Sequence, residues 1–145
     1  MNISTKGRYG LRVMVELAKQ FGKGPAMVDI IAQNQGISKK YIHQLIIRLK
    51  SAGLVRSVRG PKGGYELAKN PDSISALDVV EVMEGKITPV ECVSDSSVCS
   101  RSGACVTRPI WCEVSSAIGG VLGGVNLKQL AAKQHAEQTI NDYQI

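Results

Sequence analysis

The sequence predicts a mainly α fold with a small β-hairpin wing: a winged helix-turn-helix followed by a long dimerisation helix. Three observations lead there. Apolar residues recur at helical spacing in three successive segments of the first 52 residues, a basic hairpin tipped with Gly and Pro follows directly, and the cations concentrate in that same half. Residues 1–65 carry twelve Lys/Arg against two acids, Glu16 and Asp29, whereas residues 66–145 carry six against ten. The halves therefore hold +10 and −4, the pattern of a polyanion-binding head joined to a module of another kind.

Taken in order, Ser4 or Thr5 can cap a first helix over Lys6–Gln20, with Tyr9, Leu11, Val13, Met14, Leu17 and Ala18 as its buried side. Phe21–Pro25, with two glycines and a proline, interrupts it. Val28, Ile30, Ile31 and Ala32 predict a short second helix that stops at Gln35-Gly36. Ser38 caps a third, Lys39–Ala52, whose Ile42, Leu45, Ile46 and Leu49 repeat at i, i+3, i+4, i+7. Two β-prone runs, Leu54–Val58 and Gly64–Leu67, flank the turn Arg59-Gly60-Pro61-Lys62-Gly63. Helix, turn, helix and hairpin in that order define the expected head, residues 1–70.

Beyond it, Ser75 can cap a helix Ala76–Glu84 that Gly85 stops. Residues 86–108 read as a loop without periodicity, so 71–108 forms a connecting helix and cysteine-bearing loop. Pro109, tolerated in a first helical turn, places a helix from about Arg108 to Gly120 or beyond, and Asn126 can cap a short last helix, Leu127–Lys133. These make up 109–134, with 135–145 as a polar tail. The helix after Pro109 interleaves Val114, Ile118, Val121, Leu122 and Val125 with Gly119, Gly120, Gly123 and Gly124. A glycine inside a helix costs roughly 1 kcal/mol relative to alanine, so these four either admit a closely crossing partner helix or end this one.

Composition narrows the function. Only 4% of residues are aromatic, which disfavours sugar clefts and base-stacking platforms. No run reaches 18 apolar residues and the start lacks an apolar signal region, so a cytoplasmic protein with no membrane segment is expected. His43 and His135 have no nucleophile partner in sequence and no phosphate-cradling glycine loop opens a helix, so no enzyme is expected.

The third helix would read double-stranded DNA. Ser38, Lys39, Lys40, Tyr41, His43, Gln44 and Arg48 lie on or beside its polar side, and the early turns of such a helix enter the major groove. There Gln44 can pair with an adenine edge, His43 can meet a base, and the lysines can meet phosphate or guanine. Arg56, Arg59 and Lys62 crowd the hairpin; Arg59 is slim enough for a narrow minor groove, though a basic hairpin can also bind phosphates without preference. Ser4, Thr5, Lys6 and Tyr9 could clamp the backbone.

Cys92, Cys99, Cys105 and Cys112 are separated by six, five and six residues. Three lie in a polar loop with no core around them. A disulfide framework does not suit a reducing compartment, and structural zinc favours tight Cys-x2–4-Cys pairs that are missing here. An irregular loop with several thiolates suits an iron–sulfur cluster better. Were a helix to run through Cys105, Cys112 would lie about 10.5 Å away along its axis, too far for one small cluster. A helix starting at Arg108 brings it within reach, and otherwise Cys112 is a helix-face thiol.

Ile3–Ala18 (ISTKGRYGLRVMVELA), Gly36–Val55 (GISKKYIHQLIIRLKSAGLV) and Ser57–Pro71 (SVRGPKGGYELAKNP) closely resemble the Rrf-two family of bacterial repressors, over nearly the whole chain. The resemblance implies a homodimer: two winged heads, a cysteine-bearing loop, and a long helix crossing its partner. Such a dimer sets its reading helices roughly 34 Å apart, or a multiple, and expects a near-palindromic operator. In the family's iron–sulfur sensors three loop cysteines hold a 2Fe-2S cluster, and Cys92, Cys99 and Cys105 fall on those positions, with the first interval one residue longer. The histidine that completes that set is Arg108 here, and the first-helix aspartate used by the nitric-oxide sensors is Arg8, leaving Cys112 or a partner-chain residue for the fourth ligand. His43 stands where the iron–sulfur sensors carry an operator-discriminating glutamate. The family's cysteine-metabolism repressors lack the cysteine trio but share the STKGRYGL start most closely. A cluster-free thiol or zinc redox repressor, or one controlled by a protein partner, is therefore the alternative, and an enzyme-associated interaction module is a third.

Overall fold

The structure, a computed structural model, describes residues 2–143. The head is built from α1 (Thr5–Gln20), α2 (Val28–Gln35), α3 (Lys39–Ser51) and the antiparallel pair β1 (Val55–Val58) and β2 (Gly64–Leu67). Val13, Met14 and Leu17 of α1 meet Ile42, Leu45, Ile46 and Leu49 of α3, all at most 2% exposed. Each such side chain contributes roughly 1.5–3 kcal/mol by leaving water. Between α2 and α3, Gly36 takes φ +63°, a left-handed turn that costs a side-chain-bearing residue strain. Ser38 Oγ accepts the Tyr41 N–H at 3.2 Å and caps α3, as its position predicts.

The wing is fastened to the head. β1 and β2 pair from Val55↔Leu67 to Val58↔Gly64, and Ala26 and Tyr65 exchange two backbone hydrogen bonds of 2.8 and 2.9 Å. A third short segment, ahead of α2, thereby fixes β2 near the turn end of the hairpin.

A 3-10 turn (Pro71–Ser73) leads into α4 (Ala76–Glu84), started by a full capping box between Ser75 and Asp78. α4 closes on α1 at Gly7, where a Cβ would stand 2.6 Å from Glu84 Oε1, so a larger residue there would push the Glu84 carboxylate aside. α7 (Leu127–Tyr143) returns along α1 with Leu127 fully buried, and Asn126 and Gln129 cap it reciprocally at 2.9 Å.

Two elements differ from expectation, and a third takes one of its two expected courses. The segment read as a loop contains α5 (Glu91–Ser94) and a 3-10 turn (Ser96–Val98), whose polar turns, such as Asp95 accepting from Ser97, carry no apolar period. α6 (Arg108–Gly123) runs through Gly119 and Gly120 and ends at Gly124, the longer of its two expected courses. α7 continues to Tyr143 instead of ending at Lys133. Its last turns are exposed and polar, so periodicity could not announce them, while Ala, Glu and Gln sustain a helix on propensity. Among the described residues no helix is long and apolar enough to cross a membrane.

Candidate nucleic-acid interface

Opposite the buried stripe of α3, Lys40, His43 and Gln44 are exposed and share one face. Ile47 completes that face at i, i+3, i+4, i+7 and is 65% exposed. As an apolar residue it carries none of the hydrogen-bonding or charge signals of a DNA contact in sequence, and its spacing from Lys40 is the signal that finds it.

The flanks are braced. Tyr41 is half-buried and meets Tyr9 edge-on, with centroids 6.0 Å apart, while the Arg12 guanidinium lies 5.0 Å over the Tyr9 ring. These tyrosines join α1 to the start of α3. His43 Nδ1 lies 3.4 Å from the Tyr65 hydroxyl, which ties this face of α3 to the wing. Lys39 pairs with Asp29 at 2.9 Å, both exposed, an attraction of at most about 1 kcal/mol that a phosphate can replace.

At the wing tip Arg59 and Lys62 are exposed on either side of Gly60-Pro61. Arg56 is directed elsewhere: its Nε donates to Glu66 Oε1 at 2.7 Å, across the strands. Arg48 is drawn toward α4, where its guanidinium donates to the Met83 carbonyl at 3.4 Å. Ser4 is occupied too. Its N–H and hydroxyl donate to Glu84 Oε1 at 2.9 and 2.5 Å, and Gly7 N–H joins them at 3.1 Å, so Glu84 takes the place of a side-chain cap on α1. The Ser4 hydroxyl above all, then the Ser4 and Gly7 N–H groups and nearby Lys6, hold the Glu84 carboxyl below its ordinary pKa. Thr5 and Lys6 remain exposed beside this clamp. Of the expected site, Lys40, His43 and Gln44 come together on α3 with Arg59 and Lys62 on the adjoining wing, whereas Ser4, Arg48 and Arg56 have partners within the protein.

The cysteines lie apart from this face. Cys92 and Cys105 are half-buried, Cys99 is exposed, Cys112 is half-buried on α6, and all are free thiols. The Thr107 hydroxyl, 3.2 Å from Cys105 Sγ, together with the N–H groups of Thr107 and Arg108 and the charge of Arg101, holds that thiol below its ordinary pKa. Arg108 Nε donates to the Cys92 carbonyl at 3.1 Å and ties the cysteine segment to the first turn of α6. The donor set is right in kind for an iron–sulfur cluster. Among the described residues no three His, Cys, Asp or Glu side chains gather as a metal site.

A family model described as Rrf2, an iron-dependent transcriptional regulator, matches residues 3–133. The chain belongs to the Rrf2 family. It is 44% identical over 138 residues to the HTH-type transcriptional regulator CymR of Bacillus subtilis, covering 95% of both proteins. It is 35% identical over 138 residues to the IscR of Aliivibrio salmonicida, covering 95% of this chain and 82% of that one. Among solved structures, CymR, the global cysteine regulator of B. subtilis, superposes with a TM-score of 0.77 at 43% identity, over 92% of this chain and 98% of that one. T. potens IscR gives the same score at 37% identity, over 95% and 91%. As an Rrf2 protein the chain is a winged-helix transcriptional regulator rather than an enzyme, as its sequence predicts.

Proposed function

We propose that this Rrf2 regulator is a homodimer that reads a near-palindromic operator with α3 and its wing, and that the segment bearing Cys92, Cys99 and Cys105 sets its occupancy. The observation that carries the reading is the exposed Lys40–His43–Gln44 face, opposite the buried stripe and beside the cationic tip Arg59–Lys62. Dimerisation is supported by α6, where Ala117, Ile118, Val121 and Leu122 with Ile3 and Ile87 line an open apolar groove of about 410 Å³. Two such faces packed together would hold the heads at a fixed separation.

Cys92, Cys99 and Cys105 would hold a 2Fe-2S cluster, with Cys112 or a partner-chain group completing the set; such a cluster supplies reversible, oxidant-sensitive one-electron chemistry. The chain's own part is mechanical. Glu84 clamps the end of α4 to the start of α1, Arg108 clamps the cysteine segment to the start of α6, and rearrangement between these clamps shifts α6 against the heads. The scattered thiols and the 44% identity to CymR favour a second reading, a cluster-free thiol repressor. Oxygen-free purification with absorbance and iron–sulfide assay decides between them. Two iron and two sulfide per chain, lost in Cys92→Ser, Cys99→Ser or Cys105→Ser, are expected of the first. Colourless, iron-free protein whose operator affinity still depends on its cysteines supports the second. In either case a random-duplex selection at fixed salt should return one two-fold sequence; equal, salt-suppressed binding to every duplex overturns the regulator.

A further inference from the structure

Ile47 stands out among the large apolar side chains of the head. On α3 the apolar residues Ile42, Leu45, Ile46 and Leu49 are buried on one side, and Ile47 projects from the other at 65% exposure. At 100° per residue it falls between His43 and Gln44, one turn further along, and two turns from Lys40. The position is axially favourable. Lys40 and Ile47 are about 10.5 Å apart along the helix, roughly three base-pair steps. The spacing i, i+3, i+4, i+7 is also the one by which homeodomain reading helices reach base edges. The surroundings are cationic, with Lys39, Lys40, Arg59 and Lys62 exposed, so a polyanion rather than an apolar protein surface complements this face.

A branched aliphatic side chain can neither donate nor accept a hydrogen bond. In the major groove the one apolar feature of a base edge is the C5-methyl of thymine. We propose that Ile47 is a specificity-determining residue that packs against a thymine methyl in each half-site, next to the base met by Gln44 or His43. This deepens the operator-reading function above and rests on it.

The test uses the full-length protein and an operator obtained by selection. Each thymine of a half-site is replaced in turn by deoxyuridine, which removes the methyl and leaves every hydrogen-bonding group in place. The wild type should lose about three- to tenfold in affinity at one thymine, the scale of burying a single methyl group. Ile47→Ala should lose a similar factor on the unmodified operator and lose nothing more on the deoxyuridine one, while Ile47→Val keeps part of the sensitivity. Because the side chain is mostly in water, both variants should melt with the wild type, which separates a reading defect from a folding one. Wild-type binding indifferent to deoxyuridine at every position overturns the proposal, as does an Ile47→Ala protein that remains as sensitive as the wild type. Loss of self-association in Ile47→Ala without any deoxyuridine effect also overturns it and assigns the side chain to a protein contact. A protein that selects no sequence at all fails earlier, at the operator-reading function itself.

Discussion

In α3 four apolar residues are at most 2% exposed, whereas α6, three residues longer, buries none, leaving Ile110, Trp111 and Val121 between 40 and 73% exposed. The contrast extends along the chain. The core of the head is closed by its own elements, with α4 and the first turn of α7 completing it, while α5, α6 and most of α7 lie on its outside. The lesson is that the two regions are stabilised differently. The head derives its stability from burial within one chain, and α6 presents apolar surface that only another surface can bury.

Breaking the head should give the largest effect. Leu45→Ala removes a side chain 2% exposed between α1 and α3 and should cost about 2–5 kcal/mol, a fall in melting temperature of roughly 10 °C or more by calorimetry. Val121→Asp, 73% exposed on α6, should change chain stability by under about 0.5 kcal/mol yet convert dimer to monomer in light scattering. Equal destabilisation by the two would erase the distinction between regions.

The next effect falls where the regions meet. Glu84→Gln weakens three hydrogen bonds to a partly exposed carboxylate and should cost about 1 kcal/mol. Because the Glu84 pKa is lowered in the folded protein, its contribution is whole above the ordinary carboxylate pKa of about 4.3. It is lost as pH falls through the lowered value. The wild type should therefore lose its advantage over Glu84→Gln in melts taken below about pH 4 and regain it in full by pH 6. An advantage unchanged with pH would show that the clamp does not depend on charge.

Smaller still, Arg59→Ala should leave melting unaltered and lower the slope of log affinity against log salt by about one. An unaltered slope would remove the wing tip from the interface. Smallest, Tyr65→Phe removes the hydroxyl 3.4 Å from His43 Nδ1 and should change operator affinity by about twofold, read by titration at fixed salt.

How much was legible follows the same division. The caps Ser38 and Ser75, the Gly36 turn and the α3 stripe were readable because each is a local rule with a local signal. Lys40, His43 and Gln44 were readable as one exposed face because helical spacing puts them opposite a core that the same sequence defines, and Arg59 and Lys62 as exposed cations because they flank the Gly60-Pro61 turn. The hydrogen bonds of Ser4, Arg48 and Arg56 were not readable because their partners, Glu84, Met83 and Glu66, lie 10 to 80 residues away in sequence. The nearly three turns of α7 beyond Lys133 were missed because a polar, exposed helix has propensity but no period.

By itself the sequence determined the winged head, its charge and the exposed polar face of α3, since burial periodicity, capping and turn chemistry act within a few residues. The tertiary structure decided which candidate side chains are free to meet a ligand and which are held by distant partners. It also decided that α6 runs through its glycines with no residue buried and that the cysteines stand apart. Those outcomes depend on how elements far apart in the chain pack together, a matter of long-range contact that residue spacing does not encode.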